Sequence, residues 1–155
     1  MKRSSHITVG VATAYLLGLP ILPAMVGATL PDIDLYLKEC RLRWKLLCNH
    51  RGITHHALLG LVLGFLIPLA GNPFLKSFLV GYLSHLFADL LTPKGIPFWR
   101  YGDRISLSLV RTGSFGEYIL VGIYALTSFG VLLFKDPMSL IPADALFLLK
   151  SLWKF

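Results

Sequence analysis

Apolar residues gather into four long stretches: Ile7–Leu30, Ile53–Ala70, Phe74–Leu91 and Tyr118–Phe134. A polar segment, Pro31–Gly52, follows the first stretch. A tight Gly71-Asn72-Pro73 turn separates the second from the third, and a second polar segment, Thr92–Gly116, precedes the fourth. Crossing the hydrocarbon layer takes about 20 residues, with a range of about 17–25, and all four stretches meet or approach that length. The pattern predicts an all-α, polytopic membrane helical bundle of three to five helices, forming a single domain over residues 1–155. The tail, Pro137–Phe155, is amphipathic. Its Lys150 and Lys154 flank Trp153, as in an interfacial anchor or a short fifth helix. No internal repeat or low-complexity segment is present.

Composition strengthens this picture. Hydrophobic residues make up 55% of the chain, mean hydropathy is +0.67, and only 15% of residues are charged, against about 25% in soluble domains. The net charge is +7. In so apolar a chain, that excess reads as loops facing anionic lipid headgroups, and membrane lipids are the expected partners. No Lys/Arg stripe interleaves with aromatics, so no nucleic-acid partner is expected. The basic, apolar, then small-residue opening resembles a signal peptide, but its long apolar run and leading histidine favour a retained segment. Cys40 and Cys48 share one loop without C-x-x-C spacing and read as free thiols.

Pro20 and Pro23 interrupt the first stretch, and each removes a helix hydrogen bond. Two arrangements follow: a kinked spanning helix, which membranes tolerate, or a broken, re-entrant segment that returns to the side it entered. Charge bears on the choice. The first polar segment holds Lys38, Arg41, Arg43, Lys45 and Arg51, and the second holds Lys94, Arg100, Arg104 and Arg111. Two spans separate these segments, so they share a face, which the positive-inside rule makes cytoplasmic. Re-entry brings Lys2 and Arg3 to that face as well.

The metal-ligand residue types collect on the same face. Asp32 and Asp34 follow the first stretch, His50 and His55 open the second, His85 and Asp89 lie near the end of the third, and Glu117 begins the fourth. His6 joins them only if the first stretch turns back. His85 and Asp89 are four apart and share a helix face. Such a pair serves as a buried hydrogen bond or as part of a site, and ionisable residues in an apolar helix usually mark function. Asp32 and Asp34 equally suit a helix end. With Thr54 as N-cap, His50 lies in the loop and His55 in the first turn, while His56 points elsewhere. Ser114, three residues before Glu117, makes a capping box, which on spacing alone outweighs a ligand role for Glu117. Arg111 beside Gly113 and Ser114 suits a phosphate or an ordinary cytoplasmic-face arginine. Imidazole and carboxylate without thiolate suit zinc, manganese or iron. Two such ions about 3.5–4 Å apart clamp the attacking and leaving oxygens of a phosphoester, and Arg51 and Arg111 would neutralise its charge. No G-x-S-x-G nucleophile motif is present.

The blocks "LPDID", "HRGITHH" and "GYLSHLFADLLTPKGIPFW", the Ser5-His6 pair and the G-S-x-x-E element ending at Glu117 resemble the YdjM family, small membrane proteins of bacteria and archaea classed as inner-membrane metal-dependent hydrolases. The resemblance runs from about His6 to Glu117. That family is distantly similar to the zinc-dependent phospholipase C and P1 nuclease enzymes, which are all-helical and hold zinc clusters with His, Asp and Glu. Their H-x-x-x-D motif matches His85 and Asp89. The resemblance implies His6, Asp32, His50 or His55, His85, Asp89 and Glu117 as ligands of one to three divalent ions, zinc foremost. The chain lacks, at matching places, those enzymes' further histidines and their N-terminal tryptophan amine, which implies fewer ions.

The expectation is therefore a multi-pass inner-membrane metal-dependent hydrolase. Its substrate is a phosphoester, a phospholipid among the candidates, attacked by metal-activated water at the cytoplasmic face. His6, Asp32, Asp34, His50, His55, His85, Asp89 and Glu117 form the candidate metal set. Asp32, Arg51, Arg111 and Glu117 form the candidate catalytic set. The alternative is a non-enzymatic metal-binding membrane protein, a transporter or regulatory partner. An ion pathway needs ligands near the midplane, whereas these gather at one end.

Overall fold

The computed structural model describes residues 1–33, 52–99 and 103–135, which form five α-helices, two 3₁₀ turns and one two-stranded pairing. The first apolar stretch is two helices, α1 (Arg3–Leu16) and α2 (Ile21–Thr29). The break falls at Gly18–Pro20. Gly18 takes a φ of +65°, a left-handed conformation that costs glycine nothing sterically. Pro20 stands just outside α2 as its N-cap residue. Pro23 lies in the first turn of α2, where a missing N–H is no loss. One of the two prolines therefore marks the break, and the other opens the next helix.

After α2 a 3₁₀ turn, Leu30–Ile33, carries Asp32. A second 3₁₀ turn, Ile53–His55, leads into α3 (Ala57–Leu66). The N-cap of α3 is His56, whose Nδ1 accepts the Leu58 N–H at 3.3 Å; Thr54, expected in that role, is used elsewhere. Asn72 caps α4 (Pro73–Leu90), accepting the Phe74 N–H at 2.7 Å, with Pro73 in the first helical position. Strands β1 (Ile96–Pro97) and β2 (Arg104–Ile105) then pair antiparallel, and α5 (Phe115–Lys135) completes the described chain. The segment after β2 folds back on α4. Its Leu107 and Leu109 N–H groups bond the Leu90 and Leu91 carbonyls at 2.8 and 2.9 Å, satisfying acceptors that a helix end leaves open.

Helix α4 is the centre of the packing: α1, α2 and α3 lie against it, and α5 lies against α1. Helices α2 and α4 run in the same direction. The Ser77 hydroxyl donates to the Pro20 carbonyl at one end, and His85 reaches the Ala28 carbonyl at the other. The two backbones nearly touch. A Cβ on Gly27 would lie 2.1 Å from the Phe78 carbonyl oxygen, and one on Gly81 would lie 2.1 Å from that of Ala24. Helix α1 runs the opposite way, and a Cβ on Gly10 would lie 2.7 Å from the Ala28 Cβ.

No helix among the described residues is long and apolar enough to cross a membrane, which overturns the expected polytopic membrane bundle. The apolar stretches are divided by Gly18–Pro20 and His56, leaving α1, α2 and α3 with 14, 9 and 10 residues. At about 1.5 Å per residue these fall short of a hydrocarbon layer about 30 Å thick. Helix α4 has 18 residues but commits Ser77, Ser84, His85 and Asp89 to buried polar positions. Helix α5 places Glu117 in its first turn. The outer faces are nonetheless strongly apolar, with Phe65, Phe115 and Phe134 79%, 80% and 94% exposed. The tail Pro137–Phe155 lies outside the described residues.

Gly81→Ala should separate α2 from α4, because the atoms in its way are backbone; the cost should be about 1–3 kcal/mol. Gly122→Ala on α5, with nothing within 4 Å of its Cβ, should be neutral or gain up to about 1 kcal/mol of helix propensity. Thermal unfolding of both variants checks the contrast.

Candidate metal centre

His6 comes from the first turns of α1, Asp32 from the 3₁₀ turn after α2, His55 from the turn before α3, and His85 and Asp89 from one face of α4. All five are buried. His55 Nε2 lies 3.1 Å from His85 Nε2, 3.6 Å from Asp32 Oδ1 and 3.6 Å from Asp89 Oδ2. His85 Nε2 lies 3.8 Å from the same two carboxylate oxygens. The His6 ring stacks on His85 with centroids 3.6 Å apart, and its Nε2 is 3.4 Å from Asp89 Oδ1. Two overlapping triads, His6–Asp32–His85 and His55–His85–Asp89, each have one possible ligand atom per residue within 4.8 Å of the others.

The hydrogen bonds fix the ring tautomers. His85 Nδ1 lies 2.7 Å from the Ala28 carbonyl, which only accepts, so Nδ1 carries the proton and Nε2 of the neutral ring presents a lone pair. Thr54 gives its one hydroxyl proton to the Pro31 carbonyl at 3.1 Å. It can therefore only accept from His55 Nδ1 at 3.1 Å, which turns His55 Nε2 toward His85 and the two carboxylates. The two Nε2 atoms thus face each other among two carboxylates. His6 Nδ1 is buried without a hydrogen-bond partner. Imidazole nitrogens and carboxylate oxygens that converge in a buried pocket make a place that could hold a cation. The donor types, and the carbonyl orienting one ring from behind, fit a divalent transition metal.

Burial pushes the His85 imidazole down to about 3, with His6 adding to the effect and Asp89 and Asp32 opposing it. Burial also works against ionising Asp32, but the His55 hydrogen bond and the His85 and His6 rings outweigh it and keep the carboxyl below its ordinary value. The Met1 amine donates to Asp89 Oδ1 at 2.7 Å. No sequence motif signals that contact; it arises because α1 lies along α4.

Of the residues expected here, the fold brings together His6, Asp32, His55, His85 and Asp89. Asp34, His50 and Arg51 lie outside the described residues. Arg111 is exposed in the turn before α5. Glu117 is buried but belongs to neither triad. Its two carboxylate oxygens accept the Lys2 N–H at 2.7 Å and the Gly113 N–H at 2.6 Å, while its own N–H reaches Ser114 Oγ at 3.3 Å. Burial opposes its ionisation, but bonds from Ser5, Gly113 and Lys2 prevail and hold it below the ordinary glutamate value. Half of the expected capping box forms, the Glu117 N–H to Ser114 Oγ bond, while the Ser114 N–H goes to the Arg111 carbonyl and the Glu117 carboxylate instead ties the start of α1 to the start of α5. Sequence reading missed Thr54, Ala28 and Lys2; two of these act through backbone groups, which every residue carries.

Two outcomes follow. The metal-free protein should lose stability as pH falls from about 6.5 toward 3, because the unfolded His85 takes up a proton there and the folded one does not. Denaturant titrations across that range, with His85→Ala showing a flatter dependence, check this. Glu117→Ala should destabilise by about 1–3 kcal/mol for each N–H left without its acceptor and still bind metal, as unfolding and elemental analysis would show.

The sequence matches the family described as "YdjM inner membrane protein" over residues 1–152. It is 35% identical to the inner membrane protein YdjM of Escherichia coli (strain K12), over 50% of this chain and 50% of that protein. The inner membrane protein YdjM of Shigella flexneri matches to the same extent. The chain thus spans about half the length of the curated relatives it matches. No solved structure matches it. With nearly its whole length accounted for by one family, this chain belongs to the YdjM inner membrane protein family.

Proposed function

We propose that this chain is a metal-dependent hydrolase of phosphoesters that works at the cytoplasmic leaflet of the inner membrane. The observation that carries the reading is the buried convergence of imidazole nitrogens and carboxylate oxygens at His55, His85, Asp32 and Asp89. With His6 these residues would hold the ion. Zinc matches the donors best, with manganese or iron next, and one to three ions are the range in view. Asp34 and His50 are further candidate ligands through their places in the "LPDID" and "HRGITHH" blocks. A divalent ion there would activate water and polarise a phosphoryl oxygen.

The chain's own residues supply orientation and charge. Ala28 and Thr54 keep the His85 and His55 rings aimed inward. Asp32, the least buried of the five at 9% exposure, is the carboxylate best placed to take a proton from attacking water. Arg51 and Arg111 would meet the phosphate charge. Glu117 acts as a clamp on the two helix starts that flank the site. The phosphoester class draws on the distant similarity to the zinc-dependent phospholipase C and P1 nuclease enzymes. The membrane setting draws on the family, on the apolar outer faces and on a net charge of +7 that anionic lipid attracts.

One observation favours a second reading. His6, His55, His85 and Asp89 are almost wholly buried, as in closed ion sites, whereas catalytic ones keep an open position. A non-enzymatic metal-binding protein, a transporter or regulatory partner, has that character.

Elemental mass spectrometry of the purified wild type, His85→Ala and Asp89→Ala tests both readings, followed by hydrolysis assays on soluble phosphoesters and phospholipids. The hydrolase should carry at least one equivalent of transition metal, lose it in both variants, and lose hydrolysis with it. Metal without hydrolysis selects the second reading. A folded wild type that takes up no metal when zinc and manganese are offered overturns both.

A further inference from the structure

Helices α4 and α5 both lie against α1 but leave a cavity of about 510 Å³ between them, within the size range of small-ligand sites. Val9, Leu83, Phe87, Leu91, Leu120 and Ile123 supply the larger apolar side chains of its wall. Four hydroxyls also reach it, and each is already engaged. Thr13 donates to the Val9 carbonyl at 2.7 Å, so the Tyr124 hydroxyl 2.9 Å away donates to Thr13. Ser84 donates to the Gly81 carbonyl at 2.7 Å, and Thr127 to the Ile123 carbonyl at 2.9 Å. No hydroxyl proton on the wall is left for a ligand. A sugar, a nucleotide or a length of peptide would bring polar groups that this wall cannot satisfy. A hydrocarbon chain brings none.

The cavity is also oriented. Its inner end includes Met1, whose amine holds Asp89, and Ala88, the residue before Asp89. Its outer lips include Phe87 and Ile123, both 58% exposed, so an apolar chain can enter sideways between α4 and α5. From Leu120 to Thr127 it follows eight residues of α5, about 10 Å along the helix. The geometry points to a hydrocarbon-chain site: the cavity takes one acyl or prenyl chain of a lipid whose phosphate-bearing head lies at the His/Asp centre. The headgroup half of this assignment rests on the hydrolase reading. The chain half rests on the cavity alone.

The test uses the full chain in vesicles containing phosphatidic acid with a photoreactive diazirine on one acyl chain. After irradiation, labelled residues are mapped in wild type, Ile123→Trp and Thr127→Trp, and metal content is measured on the same samples. Both tryptophans fill the outer part of the cavity from exposed positions, so the fold should tolerate them, and circular dichroism verifies that. Labels should concentrate on the peptides of Val9, Phe87 and Leu120. They should fall by about tenfold in either variant, the effect of losing one or two buried methylenes, with metal content unchanged. Labels spread evenly over outer residues such as Phe65 and Phe134, or cavity labels indifferent to both tryptophans, would overturn the proposal. So would cavity labelling that appears only after residues 137–155 are removed, since the chain's own tail would then be the occupant. Cavity labelling in a protein that takes up no metal keeps the chain site and removes the hydrolase reading. Metal uptake without cavity labelling does the reverse.

Discussion

The contact between the Ala28 carbonyl and His85 Nδ1, 2.7 Å long, is the one on which the site depends. It places the ring proton on the far side of the imidazole and leaves the Nε2 lone pair facing His55, Asp32 and Asp89. It exists because α2 and α4 approach backbone to backbone, at a spacing that only glycine at positions 27 and 81 permits. The same approach brings the turn carrying Asp32 beside the end of α4 that carries His85 and Asp89. A pair of absent side chains on two helices thus decides a protonation state at their far ends.

Burying imidazoles and carboxylates together is costly unless each is paired. The fold meets this cost from several elements. The Met1 amine takes one Asp89 oxygen, and Thr54 takes the His55 N–H. Glu117 joins the starts of α1 and α5 through two backbone N–H groups. Among the described residues, the His6 Nδ1 atom stays buried without a hydrogen-bond partner. An unsatisfied polar atom in a native interior points to a missing partner more often than to tolerated strain, and the His/Asp groups around it could hold a metal ion. The apolar cavity beside Asp89 gives the same end of α4 a second chemistry, so that a polar centre and a hydrocarbon surface lie one helix face apart.

The site was more legible than the fold's surroundings. The four-residue spacing of His85 and Asp89 implied a shared face whatever the helix was packed against. The prolines at 20 and 23 implied a break, and a turned-back segment was the one arrangement that carried His6 to the other ligands. The helix start at Ser114, which accepts the Glu117 N–H, was readable from its spacing alone, whereas the return bond of the capping box is not made. The membrane-spanning reading of the apolar stretches was not sound. Run length counts residues, but a helix is as long as its uninterrupted hydrogen-bond ladder, and His56 and Gly18 end two ladders inside runs of apolar residues. Thr54 was misread as a cap for a related reason: the cap is whichever side chain the backbone aims at the first turn, and that was His56.

The sequence by itself determined which residues are chemically able to form the centre, because ligand chemistry belongs to side chains and their spacing along a helix. It also determined the break after α1 and the Ser114–Glu117 helix start, both local events within a few residues. Tertiary structure alone decided which of the candidates meet. His6, Asp32, His55 and His85 lie far apart in the chain, and only the packing of α1 and α2 on α4 makes them neighbours. It alone decided the tautomers, which depend on carbonyls that every residue carries and only a fold can aim.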